Sequence, residues 1–170
     1  MTETVEVRRR ISGVDYSLLE MWCFRYYSRF GVHDEINRSL IARAVLAYAH
    51  AWAQEVESTD GLQAVVTQFS YKLPAIPESV LSSLPERDSG MLVFKLPKET
   101  AEKYVEWHGH IGGDRWTKGR MTHAVTWLLR FGLRSLLHED EQFVFDIFTD
   151  QTEEEAALGL LRGRPQKDVA

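Results

Sequence analysis

The chain has a single cysteine, Cys23, in 170 residues, which excludes an internal disulfide and a cysteine-based zinc site. Its neighbours Trp22 and Phe24 suit a small buried apolar side chain better than a reactive thiol. No apolar run approaches the roughly 20 residues that a membrane-spanning helix needs, and no apolar stretch follows the charges near the first methionine. A soluble, cytoplasmic chain without membrane association is expected. Nor is there a cationic excess: the formal net charge is −5, which argues against a protein that coats nucleic acid indiscriminately.

Catalytic signatures are missing as well. No nucleophile motif surrounds any serine. GHIGG is glycine-rich but follows a helix-like segment, so it is no phosphate loop. In WHGHIGGD, His108 and His110 stand two apart next to acids, yet no third histidine or cysteine is near enough in sequence to complete a metal site. Neither an enzyme, nor a cofactor, nor a metal is expected.

The net charge hides segregation. Residues 90–138 hold eight Lys/Arg against four acids, a balance of +4. Residues 139–163 hold eight acids against Arg162 alone, a balance of −7. A basic block followed by an acidic one makes the overall charge a poor guide to partners.

Within the chain a weak repeat is visible. NRSLIARAVLAY (37–48) lies over TKGRMTHAVTWL (117–128), each with a polar cap, a basic residue, and then an apolar helical pattern. Leu40, Ile41, Ala44, Val45, Tyr48 and Trp52 form one stripe; Met121, Ala124, Val125, Leu128, Leu129 and Gly132 form the other. Asn37 and Thr117 are good N-cap types. Upstream of each lies another helix-like stretch, VDYSLLEMWCFRYYSRF in the first copy and KETAEKYVEWHGHI in the second, each ended by glycine. Upstream again is a short strand: Val5, Val7 and Ile11 share one parity, as do Leu92, Phe94 and Leu96, with Pro97 at the following helix start.

Strand, helix, turn, helix is therefore written twice. The organisation is a first unit over 1–57, a linker over 58–89 containing Pro74, Pro77 and Pro85, a second unit over 90–138, and an acidic C-terminal extension over 139–170. The linker has the length, if extended, to let the copies pack on each other, and PESVLSSL within it could form a short helix. One strand and two helices can hardly bury a core or pair a strand's backbone alone, so each unit needs the other.

MLVFKLPKETAEKY followed by TKGRMTHAV resembles the ribbon-helix-helix (MetJ/Arc) family of DNA-binding proteins, and two copies in one chain resemble the tandem arrangement of conjugation accessory proteins of the TraY type. The first copy departs from the pattern in two ways: Arg9 falls on the core-facing parity, and GVHDEI precedes its second helix. The resemblance implies a mainly α fold with a short two-stranded antiparallel β-ribbon, two ribbon-helix-helix units in tandem, and a ribbon that enters the DNA major groove. The implied activity is sequence-specific binding of double-stranded DNA by a transcriptional regulator; the alternatives are a conjugative relaxosome accessory protein and an antitoxin-like module. Pairing of the units within one chain or between two, and a homodimer or higher oligomer on DNA, stay open.

Under period-two alternation, Glu6, Arg8 and Arg10 point away from the helices, as do Met91, Val93 and Lys95, giving six candidates for base readout. Arginine can bond guanine bidentately, whereas Val and Met can only pack on a thymine methyl, so a target that is not a perfect palindrome is expected. Asn37, Arg38, Ser39, Thr117 and Lys118 are the phosphate candidates, at the starts of the second helices. The plain alternatives are a solvated strand edge for Arg8 and Arg10, and ordinary surface charges for Arg38 and Lys118. Arg9 could instead reach out to a phosphate. The many aromatics suit a core rather than base stacking. EQFVFDIFTDQTEEEAALGLL could be an arm for a protein partner; the alternative is a last strand and helix packed on the domain, since Phe143, Phe145 and Phe148 are costly to expose.

Overall fold

The computed structural model describes residues 3–31, 36–112 and 120–159. Among them, strand β1 (Thr4–Ile11) leads into helices α1 (Gly13–Ser28) and α2 (Arg38–Asp60). Two shorter helices follow, α3 (Leu62–Ser70) and α4 (Glu78–Leu81). Strand β2 (Gly90–Pro97) then opens the same order again, with α5 (Lys98–Gly112) and α6 (Arg120–Ser135). A 3-10 turn, Leu136–His138, connects to α7 (Glu141–Ala157). The fold is mainly helical, with one two-stranded antiparallel sheet.

Alternation in both strands produces the sheet's two faces. Val7 and Ile11 are buried with Leu92, Phe94 and Leu96, and Val5 is half-buried beside them. The register runs from Thr4 opposite Pro97 to Ile11 opposite Gly90. An isolated two-stranded ribbon is marginal in water; the helices beneath it supply the missing burial.

Side-chain caps start α1 and α2, at Ser12, which the sequence reading did not single out, and at Asn37, which it did. The Ser12 side chain accepts from the Asp15 amide at 3.1 Å, and Asn37 Oδ1 accepts from the Leu40 amide at 3.0 Å. The two predicted stripes meet: α2 buries Leu40, Ile41, Ala44 and Val45 against Ala124, Val125, Leu128 and Leu129 of α6. Gly132 permits the approach, because a Cβ there would stand 2.6 Å from Val45 Cγ1 and 3.0 Å from Val45 O. Asp15, buried on α1, receives Arg134 of α6 at 2.5 Å, tying the first helix of one copy to the second helix of the other.

Residues 58–89, read as a linker from their prolines and polar residues, contain the last turn of α2 and two further helices. Val65 and Phe69, one helical turn apart, drive α3 into the core, where Phe69 stacks on Phe131 with centroids 4.5 Å apart. Residues 71–77 and 82–89, on either side of α4, are irregular. Residues 85–89 form a strap across α1: Ser17 Oγ donates to Pro85 O at 3.2 Å, and Gly13 packs so tightly beneath that a Cβ would meet Arg87 O at 1.8 Å.

The C-terminal segment is one helix rather than a strand and a helix. α7 buries Val144, Phe145 and Phe148, the last against Trp22 and Tyr26, while Phe143 is exposed. The docking is anchored electrostatically by Arg43, whose Nε and Nη2 each donate to the Glu155 carboxylate at 2.7 Å. Gln151 donates to the same carboxylate, and Arg43 Nη1 reaches Lys95 O at 3.1 Å. No described helix is long and apolar enough to cross a membrane.

Candidate nucleic-acid interface

The six ribbon residues expected to face outward do share one exposed face. Across it Glu6 stands opposite Lys95, Arg8 opposite Val93 and Arg10 opposite Met91. Three cations and one carboxylate make this face +2. Met91 and Val93 are 42% and 38% exposed and put apolar surface among the cations of this face.

An approximate twofold runs through the ribbon. α1 and α5 each begin two residues after a buried strand residue, Ile11 and Leu96, so counting back makes Arg8 the counterpart of Val93 and Arg10 that of Lys95. Arg8 and Val93 are also cross-strand partners, which puts the axis between them. By the same count Arg9 takes the place of Phe94. Its side chain is half-buried on the helix side, where Nε donates to Thr126 Oγ1 at 3.0 Å. The departure read in the sequence is thus accommodated by a hydroxyl on α6 whose own proton goes to Thr122 O at 2.7 Å.

Outward arginines are only lightly held. Arg8 lies 3.4 Å from Glu6 with its side chain 60% exposed, and Arg10 Nη1 lies 3.3 Å from Ser89 Oγ. Exposed contacts of this length contribute little and exchange readily for another partner.

The phosphate candidates of the first unit are all at the start of α2. Asn37 spends its side-chain oxygen on the cap, Ser39 is half-buried, and Arg38 is exposed. Arg38 donates from Nε and Nη2 to Glu20 Oε2, at 3.1 and 2.9 Å. That carboxylate raises the guanidinium's pKa above its ordinary value, so the cation persists at any working pH. No acid occupies the first turn of α2, so no residue of that turn offsets the positive end of the helix dipole. Thr117 and Lys118 lie outside the described residues.

Sequence reading missed two neighbours of this surface. Arg87, on the strap, bonds the other oxygen of Glu20 and lies over the Tyr16 ring, 4.0 Å from its centroid. Arg43 joins β2 to α7. Arg87 lies on an irregular segment and Arg43 outside the apolar stripe of α2, and their partners are 52 or more residues away. His108, considered for a metal, is buried edge-on to Trp127 at 5.9 Å. No protein-family model, curated protein or solved structure matches this chain.

Proposed function

We propose that the chain is a tandem ribbon-helix-helix protein that binds double-stranded DNA sequence-specifically through β1 and β2, as a transcriptional regulator. The observation that carries this reading is the register of Thr4–Ile11 with Gly90–Pro97, which sets Arg8, Arg10 and Lys95 beside Met91 and Val93 on one open face. Two strands about 5 Å apart fit a major groove about 12 Å wide. The arginines offer bidentate donors to guanine, Lys95 a third cation, and Val93 and Met91 apolar contact for a thymine methyl. Glu6 can accept from a cytosine amino group.

Asn37, Arg38 and Ser39 would seat one flanking phosphate, and Thr117 and Lys118 the other, setting register rather than sequence. Because Arg8 faces Val93 across the axis, the two half-sites differ. The target is then pseudo-palindromic at most.

The test is selection of duplexes from a random library by the full chain, followed by competition against scrambled duplex. Wild type is expected to enrich one asymmetric motif, and Arg8→Ala with Arg10→Ala to lose that preference while retaining the fold by circular dichroism. Unchanged preference in the double variant would reject the readout.

A further inference from the structure

We infer that Arg87, carried by the strap, is an additional DNA-phosphate ligand paired with Arg38, and that Glu20 between them is an internal competitor for that phosphate; this rests on the DNA-binding reading above. The contacts form one continuous line. Arg10, on the outer ribbon face, reaches Ser89 at 3.3 Å. Two residues back along the strap, Arg87 bonds Glu20 through Oε1. Arg38, at the start of α2, takes Oε2 at 2.9 Å.

A basic ridge therefore runs from the groove-facing ribbon to the helix end that borders it. Two guanidiniums held on the two oxygens of one carboxylate have the spacing for another oxyanion to bridge them, and a phosphate oxygen pair is the substitute a duplex offers. All three side chains are partly exposed, at 37% for Arg87, 49% for Arg38 and 33% for Glu20, so solvent already competes and exchange needs no refolding. Stacking on Tyr16 holds the Arg87 guanidinium in place and lowers the entropy lost on binding.

Among the described residues the device exists on one side only. Counting from the helix starts, Gly13 corresponds to Lys98, so Tyr16 corresponds to Ala101 and Glu20 to Val105. There no described segment crosses, and an open groove is lined by Val5, Lys98, Ala101, Glu102, Val105 and Glu106. That end of the ribbon also borders α7 through the Arg43 link between Lys95 O and Glu155.

The experiment measures affinity by fluorescence anisotropy on the selected duplex and on scrambled duplex, across a salt series, for wild type, Arg87→Ala, Arg87→Lys and Glu20→Gln, with a thermal melt of each. Arg87→Ala is expected to weaken both duplexes alike, by about three- to tenfold, and to reduce the salt slope by about 1. Arg87→Lys should restore the slope. Glu20→Gln should tighten binding to both duplexes by a similar factor, although it loosens the fold. A purely structural ion pair predicts otherwise: lower melting temperatures for Arg87→Ala and Glu20→Gln with slope and affinity unmoved, and that result overturns the inference while leaving the DNA-binding reading intact. Failure of wild type to bind any duplex rejects that reading itself, and this inference with it.

Discussion

Arg8 and Val93 stand directly opposite each other at the centre of the ribbon, both pointing outward, on the axis that relates the two copies. A charged fork and a branched hydrocarbon thus occupy equivalent places. The first can donate two hydrogen bonds to a base edge, the second none, so substitutions at the two positions should have unequal consequences. Arg8→Ala is expected to cost about 1–3 kcal/mol of discrimination at one base pair, and Val93→Ala clearly less. Equal losses, measured by competition with single-base variants of the selected duplex, would contradict a polarised readout.

Glu155 is 3% exposed and is satisfied by both Arg43 and Gln151. Glu155→Ala leaves a largely buried guanidinium without its partner and should destabilise the chain by about 3–5 kcal/mol, read from urea unfolding. Replacing Arg43 and Glu155 together by methionine should recover most of that loss, because no uncompensated charge then remains inside.

Phe148 is fully buried between Trp22 and Tyr26. Phe148→Ala should cost about 3–5 kcal/mol, and removal of residues 139–170 should abolish cooperative unfolding. A truncated chain that still melts in one sharp transition would instead make the segment a detachable arm.

Gly132→Ala puts a methyl into the 2.6 Å gap at Val45 Cγ1. The expected penalty is about 1–3 kcal/mol from overpacking, seen as a lowered melting temperature. Adding Val45→Ala relieves only part of it, since Val45 O lies 3.0 Å away and belongs to the backbone.

Burial pushes the Cys23 thiol up from 9.0 to about 12. Below pH 9 both folded and unfolded states carry the neutral thiol and the group is neutral for stability. Between about pH 9 and 12 the unfolded state ionises while the folded one does not, so stability falls as pH rises through that window. A thiol-reactive chromogenic disulfide at pH 8 should label Cys23 only as fast as the chain opens, and fully in denaturant. Rapid stoichiometric labelling of folded protein would place the thiol at the surface.

Much of the framework was legible in the residues themselves, because local patterns suffice for it. Alternation over 5–11 and 91–96 assigned inward and outward faces, and 3.6-residue spacing marked the α2 and α6 stripes that pack together. Asn37 was readable as a cap for the same reason: its partner is three residues away. The incompatibility of one strand with independent stability called for a second, and the chain held it. Composition misled where proline and serine concealed α3; in α7 the cost of exposing Phe145 and Phe148 was readable, but the segment is one helix with no strand, and Phe143 stays exposed.

What the sequence alone could not determine were the pairings between distant residues. Arg43 and Glu155 are 112 positions apart, Arg87 and Glu20 are 67 apart, and nothing periodic connects either pair. Their meeting follows from docking α7 and the strap onto α1 and α2, a result of many apolar contacts summed over the whole core. Local chemistry chose the elements and their faces; only the tertiary structure decided which charges share a carboxylate, because ion pairs form wherever packing has already brought their carriers together.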